Sequence, residues 1–496
     1  MKKILILAID QGTSSSRVLV FDHSGFCRAI ASRPLRQHYP KPGWVEQNPE
    51  EIWQTVFISI QEVLEKIKGP YSIAAIGITN QRETTLFWET KTGKALGPAI
   101  VWQCRRSAAI CEELRKSFGD DFFHQKTGLV VDPYFSATKI LWRFRHEPHL
   151  KRRAQNGEIL FGTVDSWILW KLTGGKTHST DLTNASRTLL LNLRKGQWDD
   201  EILTALKIPH QMLPCIQDSI DHFGVTAQIG KLPSGIPMMG IAGDQQAALF
   251  GQACFEPGMI KNTYGTGCFI LWSLGKKFVL SKKGLITTAA CFGKNRMGYA
   301  LEGSVFIGGA VIQWLRDELK ALKDSKDSSR LAQSLRSNEG VYLVPAFTGL
   351  GSPYWDPHAR GAIFGLTRST SQTHIVRAAL EGIAYQVKDV LEVMSKEVHI
   401  PIKELRVDGG ASKNNFLMQF QADILRAGVS RPREIETTGQ GVAWMAGLGI
   451  GFWENEQELC SLRKKDRSFL PKMKNVEIKK LYQGWCMAVQ KVLVSN

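Results

Sequence analysis

The segment ILILAIDQGTSSSRVLVF, residues 4–21, has the pattern of two strands joined by a tight turn. Its first six residues, Ile4–Ile9, form a continuous apolar run, which is typical of a strand covered on both faces of a sheet. Turn-forming residues follow, and Val18–Phe21 resumes as an apolar strand. The segment therefore predicts an α/β domain that opens with a strand–turn–strand unit.

The turn in this segment has the residues that a phosphate-binding loop needs. Gly12 allows a tight backbone turn, so that successive N–H groups and nearby hydroxyls can surround a phosphate. The hydroxyls belong to Thr13, Ser14 and Ser15. Asp10, at the end of the strand, is placed to hold Mg²⁺ through water, and Arg17 can reach the same phosphates. An ordinary hairpin turn with solvated hydroxyls remains the alternative from this segment alone.

A second strand–turn–strand pattern lies in the second half of the chain. Met259–Thr263 and Cys268–Trp272 are strand-like, and a glycine-rich turn with Thr266 at its centre joins them. A further glycine turn at 408–410 follows a short strand and precedes a helix that begins near Asn414. The repetition predicts a duplicated α/β domain in which two facing turns clamp the phosphate chain of a nucleotide.

We expect an N-terminal domain at residues 1–250, which carries the first phosphate turn. The C-terminal domain is expected at residues 251–496 and carries the second. The glycine-rich passage 235–267 marks the junction. The charged, polar stretch 323–330 is predicted to be a surface loop within the second domain.

Asp244 is a candidate general base. It follows the short apolar strand Met238–Ala242 and the turn residue Gly243, and it precedes a good helix start. At a helix N-terminus its charge is stabilised and its side chain points out of the sheet edge. There it can accept a proton from an attacking hydroxyl, or it can be a plain capping residue, and the sequence leaves both roles open.

The dipeptide Arg82-Glu83 follows a buried strand and carries adjacent opposite charges. Such a pair can fix the neighbouring hydroxyls of a polyol, because the arginine donates hydrogen bonds and the glutamate accepts them. A surface ion pair is the alternative. Aromatic residues near the turns, which are either core or ligand wall, are Trp102, Tyr134 and Phe269.

The composition excludes several classes of protein. With 43% hydrophobic and 22% charged residues among 496, the chain is globular and not disordered. No apolar run approaches the roughly 18 residues needed for an integral membrane segment. The net charge of +17 comes from scattered lysines and arginines without a zinc-finger or RRM-type signature. We therefore expect no nucleic-acid partner and attribute the charge to attraction of an anionic nucleotide.

The cysteines and the absence of several motifs exclude further classes of protein. Nine cysteines without a C-x-x-C pair indicate a reducing, cytoplasmic compartment, and no H-E-x-x-H occurs. The chain also lacks a P-loop, a dinucleotide-binding G-x-G-x-x-G, a protein-kinase H-R-D loop and a G-x-S-x-G elbow. The sequence therefore indicates a phosphate-binding protein built without these devices.

Taken together, these segments resemble the FGGY family of carbohydrate kinases, and within it the branch that phosphorylates glycerol. The matching blocks are AIDQGTSSSR (8–17), AIGITNQRETT (75–85), IVWQCRR (100–106), IAGDQQAALFG (241–251), NTYGTGCF (262–269), VPAFTGLGSPYWDPHARGAIFGL (344–366) and RVDGGASKNN (406–415). Xylulokinase-like relatives usually carry Gly-Gln-Met-His where residues 80–83 of this chain are Asn-Gln-Arg-Glu. That departure favours glycerol as the acceptor.

The resemblance implies two RNase H-like domains, as in actin and hexokinase, that flank a catalytic cleft, with glycerol bound by the domain at 1–250 and the nucleotide by the domain at 251–496. It implies transfer of the γ-phosphate of ATP to glycerol, with Mg²⁺ as cofactor, giving sn-glycerol 3-phosphate and ADP in the first step of glycerol catabolism. The expected partners are glycerol and ATP, and the expected assembly is a homodimer or a homotetramer.

Carried over position by position, the resemblance makes Asp244 the base and places Asp10 near Mg²⁺. The glycerol-binding residues that it implies are Arg82, Glu83, Trp102, Tyr134, Asp244, Gln245 and Phe269. The nucleotide-binding residues that it implies are Thr13, Ser14, Ser15, Arg17, Thr266, Gly309, Gln313, Gly410 and Asn414.

Three alternatives stay open at this point. A related sugar or polyol kinase would share the whole framework. A non-catalytic actin-like ATPase would share the phosphate turns but has no need of an arginine–glutamate pair facing Asp244. A basic nucleic-acid binder would show a steep dependence of DNA affinity on salt.

Overall fold

The first half of the chain is built on a five-stranded mixed sheet. The structure, a computed structural model, describes residues 2–356 and 358–493. The strands of the first half are β1 (Lys3–Gln11), β2 (Ser15–Phe21), β3 (Cys27–Pro34), β4 (Glu46–Gln47), β5 (Tyr71–Asn80), β6 (Leu86–Glu89), β7 (Ala99–Ile100), β8 (Ile159–Gly162), β9 (Ser179–Asp181), β10 (Leu191–Asn192), β11 (Gln197–Trp198), β12 (Cys215–Gln217) and β13 (Met238–Gly243). Its helices are α1 (Pro49–Lys66), α2 (Ala108–Phe118), α3 (Asp120–Thr127), α4 (Ser136–His146), α5 (Pro148–Gln155), α6 (Val164–Leu172), α7 (Leu182–Ala185), α8 (Asp200–Leu206) and α9 (Asp244–Gly251).

The second half is built on a seven-stranded sheet. Its strands are β14 (Ile260–Tyr264), β15 (Cys268–Gly275), β16 (Ile286–Cys291), β17 (Met297–Val305), β18 (Tyr342–Val344), β19 (Ala362–Phe364), β20 (Glu404–Asp408), β21 (Gly428–Pro432) and β22 (Lys465–Phe469). Its helices are α10 (Ala310–Asp317), α11 (Asp327–Ser334), α12 (Gln372–Val398), α13 (Asn415–Leu425), α14 (Thr437–Gly449), α15 (Glu456–Leu462) and α16 (Asn475–Gln490). None of the helices in the described residues is both long and apolar enough to cross a membrane.

The two sheets share one topology, which confirms the predicted duplication. The first has the order β13-β5-β1-β2-β3, and the core of the second has the equivalent order β21-β20-β14-β15-β17. In both sheets the first strand is antiparallel to the second and parallel to the fourth. The second sheet adds β16 at one edge and β22 at the other. This is the predicted fold of two RNase H-like domains, as in actin and hexokinase.

The parallel strands of the first sheet bring three predicted site residues to one edge. β1, β5 and β13 run in the same direction, so that their carboxyl ends lie side by side. Asp10 lies near the end of β1, Arg82 follows the end of β5, and Asp244 follows the end of β13. Ligands of open α/β sheets bind outside the carboxyl ends of such strands.

The predicted loop at 323–330 is partly wrong, because α11 begins at Asp327. Polar side chains there have tertiary partners that a loop reading does not foresee. The Nδ2 group of Asn414 donates a hydrogen bond to Oγ of Ser328 at 3.0 Å, and the backbone N–H of Phe416 donates to Oγ of Ser329 at 3.3 Å. These bonds and the buried Ala332 hold the helix against α13.

Each sheet packs against a helix that belongs to the other half of the chain. From the second half, α14 packs on the first sheet, where Trp444 and Met445 join the core formed by Ile6 and Leu19. From the first half, α9 places Leu249 among core residues of β15, β16 and β17. The predicted division at residues 250 and 251 falls at the end of α9 and stays a prediction.

The two exchanged helices touch backbone to backbone through glycine. A Cβ atom added at Gly441 of α14 would lie 1.9 Å from the carbonyl oxygen of Ala247 of α9. We expect Gly441→Ala to lower the free energy of unfolding by about 1–3 kcal/mol, because the helices must separate to admit the methyl group. Urea unfolding measures the change. Gly428→Ala is the control, because its added Cβ has no neighbour nearer than 3.8 Å, and equal losses in both variants would contradict the prediction.

Candidate active site

Asp244 is the first residue of α9 and faces the end of β5. Its Oδ1 atom accepts a hydrogen bond from the backbone N–H of Gln245 at 2.8 Å and lies 3.1 Å from Nε of Arg82. The turn before it is held from the side, because the N–H of Gly243 donates to Oγ1 of Thr183 at 2.9 Å. That hydroxyl in turn donates to the buried carboxylate of Asp181 at 2.6 Å. The carboxylate of Asp244 is therefore fixed in direction and is about one third exposed, at 31%.

Arg82 and Glu83 are buried, which excludes the alternative of a surface ion pair. The terminal nitrogens of Arg82 donate to both oxygens of Glu302 at 2.6 and 2.8 Å, and one of them also donates to Gln246 at 3.1 Å. Arg187 donates from Nε to Glu83 at 2.6 Å and from a terminal nitrogen to Glu302 at 3.2 Å. Two guanidinium groups and two carboxylates thus form one buried network.

The two arginines keep the carboxylate of Glu302 ionised. Burial alone would raise the pKa of Glu302, but Arg187 and Arg82 overcome it and hold that pKa at about 2. Burial raises the pKa of Glu83 above its ordinary value, although the same two arginines oppose the rise. A buried network of this kind tolerates the loss of one member poorly, because an unpaired buried charge remains.

The three predicted aromatic residues come together as one wall. The ring centroid of Trp102 lies 5.5 Å from that of Tyr134 and 6.4 Å from that of Phe269, with the rings edge to face. The guanidinium of Arg187 lies over Tyr134, 5.5 Å from the ring centroid. The indole N–H of Trp102 donates to Oγ1 of Thr13 at 3.0 Å, which links this wall to the first phosphate turn.

Two buried lysines support residues of the site. Nζ of Lys261 donates to Oε1 of Gln245 at 2.5 Å and to Oγ1 of Thr263 at 2.9 Å. Nζ of Lys139 donates to the backbone carbonyl groups of residues 133–135, among them that of Tyr134 at 2.5 Å. Burial lowers the pKa of both ammonium groups to about 8, against the pull of nearby carboxylates.

Loss of the proton from Lys261 is expected to weaken acceptor binding at high pH. Below about pH 8 Lys261 is charged and holds Gln245, and above that pH the ammonium is lost and the hydrogen bond weakens. We therefore expect kcat/KM for the acceptor to fall as the pH rises through about 8, and this fall to be absent in Lys261→Met. Steady-state rates across the pH range measure it. Lys139→Met is the comparison, because Lys139 holds only backbone carbonyl groups, and the fall of kcat/KM with pH is expected to remain in it. The same fall in Lys261→Met would contradict the assignment.

The predicted turn at Gly12 is present between β1 and β2. The N–H of Gly12 donates to the carbonyl oxygen of Ser15 at 2.9 Å, which closes the turn between β1 and β2. Asp10 lies opposite Arg17 in the antiparallel pair, and Arg17 forms an ion pair with Glu436. Burial raises the pKa of Asp10 to about 7, with Glu436 and Asp244 adding to the rise and Arg17 opposing it. Asp10 is thus a buried carboxylate with two others close by.

The second phosphate turn is closed by the start of α10. The N–H of Gly309 donates to the carbonyl oxygen of Gly265 at 2.8 Å, and that of Gly308 donates to the carbonyl oxygen of Thr266 at 2.7 Å. The N–H of Gln313 then donates to the carbonyl oxygen of Gly309 within the first turn of the helix. Thr266 and Gln313 are exposed at this edge, as Ser14 is on the first turn.

The third glycine turn lies beside the second. A Cβ atom added at Gly409 would lie 2.6 Å from the carbonyl oxygen of Tyr264, which precedes the second turn. Gly410 is exposed, and an added Cβ would meet nothing within 4 Å. Asn414 caps α13, because its Oδ1 accepts from the N–H of Leu417 at 3.0 Å, and its Nδ2 donates to Ser328, so both polar atoms of its side chain have structural roles.

Sequence reasoning missed four polar residues of the site. These are Arg187, Gln246, Lys261 and Glu302. The sequence carries a signal for only one of them, Glu302. It is the single charged residue in the strand segment 299–305, whose other residues are apolar or small. A charge in such a strand needs a buried partner, and the partners are arginines distant in the chain.

The fold and the site together define a phosphotransferase of the actin and hexokinase type. Residues 5–251 match the N-terminal domain of the FGGY family of carbohydrate kinases, and residues 260–450 match the C-terminal domain. The chain belongs to the FGGY family of carbohydrate kinases.

Similar proteins were found by sequence and by structure. A glycerol kinase of Enterobacter sp. (strain 638) is 54% identical over 99% of this chain and 98% of its own length. A glycerol kinase of Alkaliphilus oremlandii is 54% identical over the same shares of the two chains. The solved structure of Plasmodium falciparum glycerol kinase with ADP has a TM-score of 0.93 and is 36% identical, covering 100% of this chain and 99% of its own. A xylulose kinase of Lactobacillus acidophilus, 24% identical with a TM-score of 0.88, covers 98% of both chains and shares the fold.

Proposed function

We propose that this chain transfers the γ-phosphoryl group of ATP to glycerol, giving sn-glycerol 3-phosphate and ADP. The observation that carries the proposal is the buried Nε–H of Arg82, which makes no hydrogen bond to the described residues although it lies 3.1 Å from Asp244. A hydroxyl both donates and accepts, so a polyol bound here satisfies the guanidinium and the carboxylate together. Relatives 54% identical that are glycerol kinases support glycerol as that polyol.

Asp244 accepts the proton of the attacking hydroxyl, and Arg82 orients that hydroxyl. Glu83 supplies an acceptor for a neighbouring hydroxyl, because only one of its oxygens is hydrogen-bonded to Arg187. The edge-to-face wall of Trp102, Tyr134 and Phe269 covers the carbon side of a small polyol. Phosphoryl transfer requires positioning and charge neutralisation more than covalent chemistry, and these groups supply the positioning.

The glycine turns suit the phosphate chain of a nucleotide, and Asp10 suits Mg²⁺. Within the described residues no group of three or more histidine, cysteine, aspartate or glutamate side chains forms a complete metal site. Mg²⁺ usually takes only one or two carboxylates in addition to water and substrate phosphates, and Asp10 among other carboxylates fits this need. When bound, Mg²⁺ neutralises charge that develops on the phosphates. The hydroxyls and the side-chain amide offered to the phosphates belong to Thr13, Ser14, Ser15, Thr266 and Gln313.

A coupled assay of ADP release, with Mg-ATP and with or without glycerol, tests the proposal. We expect turnover that depends on glycerol. Turnover with xylulose or gluconate in place of glycerol would keep the family and overturn the acceptor. ATP hydrolysis that is the same with and without any acceptor would overturn the proposed function and favour an actin-like ATPase.

We also propose a cytoplasmic location and a homodimeric or homotetrameric assembly. All nine cysteines lie in the described ranges and are free thiols, which fits a reducing compartment. Light scattering coupled to size-exclusion chromatography is expected to give two or four times the mass of one chain. A monomer would overturn the assembly.

A further inference from the structure

The acceptor site contains one carboxylate that comes from the opposite half of the molecule. Glu302 lies on β17 in the second sheet, where it faces Leu271 of β15 and Ile286 of β16 across the strands. Its side chain is fully buried. Among the described residues, the side chains that donate hydrogen bonds to it are arginines of the first half: Arg82, at 2.6 and 2.8 Å, and Arg187, at 3.2 Å. Glu302 thus reaches from one sheet into the binding groups of the other.

We propose that Glu302 is a positioning residue of the acceptor site, which orients the guanidinium groups of Arg82 and Arg187 and through them the groups that bind the polyol. The proposal rests on the proposed function in so far as the polyol is glycerol. Glu302 is neither the general base nor part of a phosphate turn. It acts on the acceptor through Arg82 and Arg187.

The two oxygens of Glu302 fix the rotation of the Arg82 guanidinium. Because both terminal nitrogens of Arg82 donate to Glu302, the remaining edge with Nε faces Asp244 at 3.1 Å. A guanidinium held on both terminal nitrogens has one orientation, whereas one held by a single bond turns about it. Glu302 therefore sets where the free N–H of Arg82 points.

The same carboxylate fixes the second arginine and, through it, Glu83. Arg187 donates from one terminal nitrogen to Glu302 and from Nε to one oxygen of Glu83. The other terminal nitrogen, Nη1, is buried and has no hydrogen-bond partner among residues 2–356 and 358–493. Within the described residues, one oxygen of Glu83, one nitrogen of Arg187 and Nε of Arg82 are thus the groups of the network left without a hydrogen bond.

Charge balance gives Glu302 a second effect. With Glu83 it balances the two guanidinium groups, and its pKa, lowered to about 2 by the arginines, keeps it ionised near neutral pH. Removing this charge leaves an excess of buried positive charge beside the acceptor site. Within the described residues, Glu302 forms no hydrogen bond or ion pair with the nucleotide turns at the start of α10 and at the end of β1.

The test is the isosteric variant Glu302→Gln in the full-length enzyme. Its amide presents one acceptor and one donor to the two arginines, so at least one guanidinium bond is lost. We expect KM for glycerol to rise about 10- to 100-fold, while KM for Mg-ATP stays within about twofold of wild type. Equal rises in both Michaelis constants, or no rise in that for glycerol, would overturn the proposal.

Glu381→Gln is the matched control. Glu381 is as buried as Glu302, and it accepts from Nε of Arg377 at 2.7 Å and from Asn338 at 2.9 Å, but it lies on α12 outside the acceptor site. We expect it to leave KM for glycerol unchanged. A rise equal to that of Glu302→Gln would show a general effect of losing a buried carboxylate and overturn the proposal.

A double-mutant cycle separates positioning from loss of folding. If Glu302 acts through Arg82, the double variant of Glu302→Gln and Arg82→Lys raises KM for glycerol hardly more than the worse single variant. Multiplied effects would overturn the proposal. Should Glu302→Gln not fold, Glu302→Asp keeps the charge and withdraws it by one methylene, with a smaller but still selective rise expected.

The wild-type assay distinguishes this proposal from the proposed function. If the wild type phosphorylates another polyol and not glycerol, the proposed function fails, and the same ratio of Michaelis constants measured with that polyol decides on Glu302. If the wild type phosphorylates no polyol at all, both proposals are overturned.

Discussion

Asp244→Asn is expected to lower kcat for glycerol phosphorylation by about 100- to 10,000-fold, with little change in either Michaelis constant. The amide has the shape of the carboxylate and can still accept the hydrogen bond from the N–H of Gln245, so the start of α9 is kept. What the variant loses is the ability to accept a proton from the hydroxyl that attacks the phosphoryl group. Coupled steady-state kinetics at saturating Mg-ATP measure the loss.

Asp199→Asn is the control for the role of a capping residue. Asp199 caps α8 through the N–H of Ile202 at 2.9 Å and lies outside the candidate site. We expect it to change the unfolding midpoint at most and to leave kcat as in wild type. If Asp244→Asn kept more than about a tenth of wild-type kcat, the carboxylate of Asp244 would serve only the first turn of α9, and the general base would have to be sought elsewhere.

Arg82→Lys is expected to raise KM for glycerol about 30-fold or more while KM for Mg-ATP hardly changes. Lysine keeps the charge but cannot hold both oxygens of Glu302, the amide oxygen of Gln246 and a substrate hydroxyl together. The binding geometry is therefore lost even though the net charge of the network is unchanged. Initial rates with glycerol and Mg-ATP varied in turn give the two constants.

Arg377→Lys is the matched change for that experiment. Arg377 is also buried, and it donates from Nε to Glu381 at 2.7 Å and from a terminal nitrogen to the carbonyl oxygen of Ala332 at 3.3 Å. It is expected to affect stability without a selective effect on glycerol. Equal shifts in KM for glycerol from both lysine variants would mean that Arg82 supports the fold and does not bind the acceptor.

The sequence was sufficient where local pattern determines structure. The apolar run Ile4–Ile9 and the turn at Gly12 predicted the first strands, and an apolar strand followed by Gly243 predicted the helix that starts at Asp244. Strand direction then follows from topology, and parallel strands bring Asp10, Arg82 and Asp244 to one edge.

The sequence was insufficient where partners lie far apart in the chain. Nothing near Arg187 or Glu302 indicates that they meet, because their contact depends on how the second sheet docks against the first. The prediction of a loop at 323–330 was partly wrong for the same reason. Hydrogen bonds from Asn414 and Phe416 to serines of this polar segment stabilise the start of α11. The local sequence of this segment favours a loop, and tertiary contacts override that preference.

The exchange of α9 and α14 between the sheets determines how the chain can be divided. A fragment ending at residue 250 would leave the face of the first sheet around Ile6 and Leu19 without Trp444 and Met445, and so expose a large apolar surface to water. A fragment starting at residue 251 would lack Leu249 beneath its own sheet. We therefore expect neither half to be soluble when expressed alone, and the two halves to recover activity only when they are produced together.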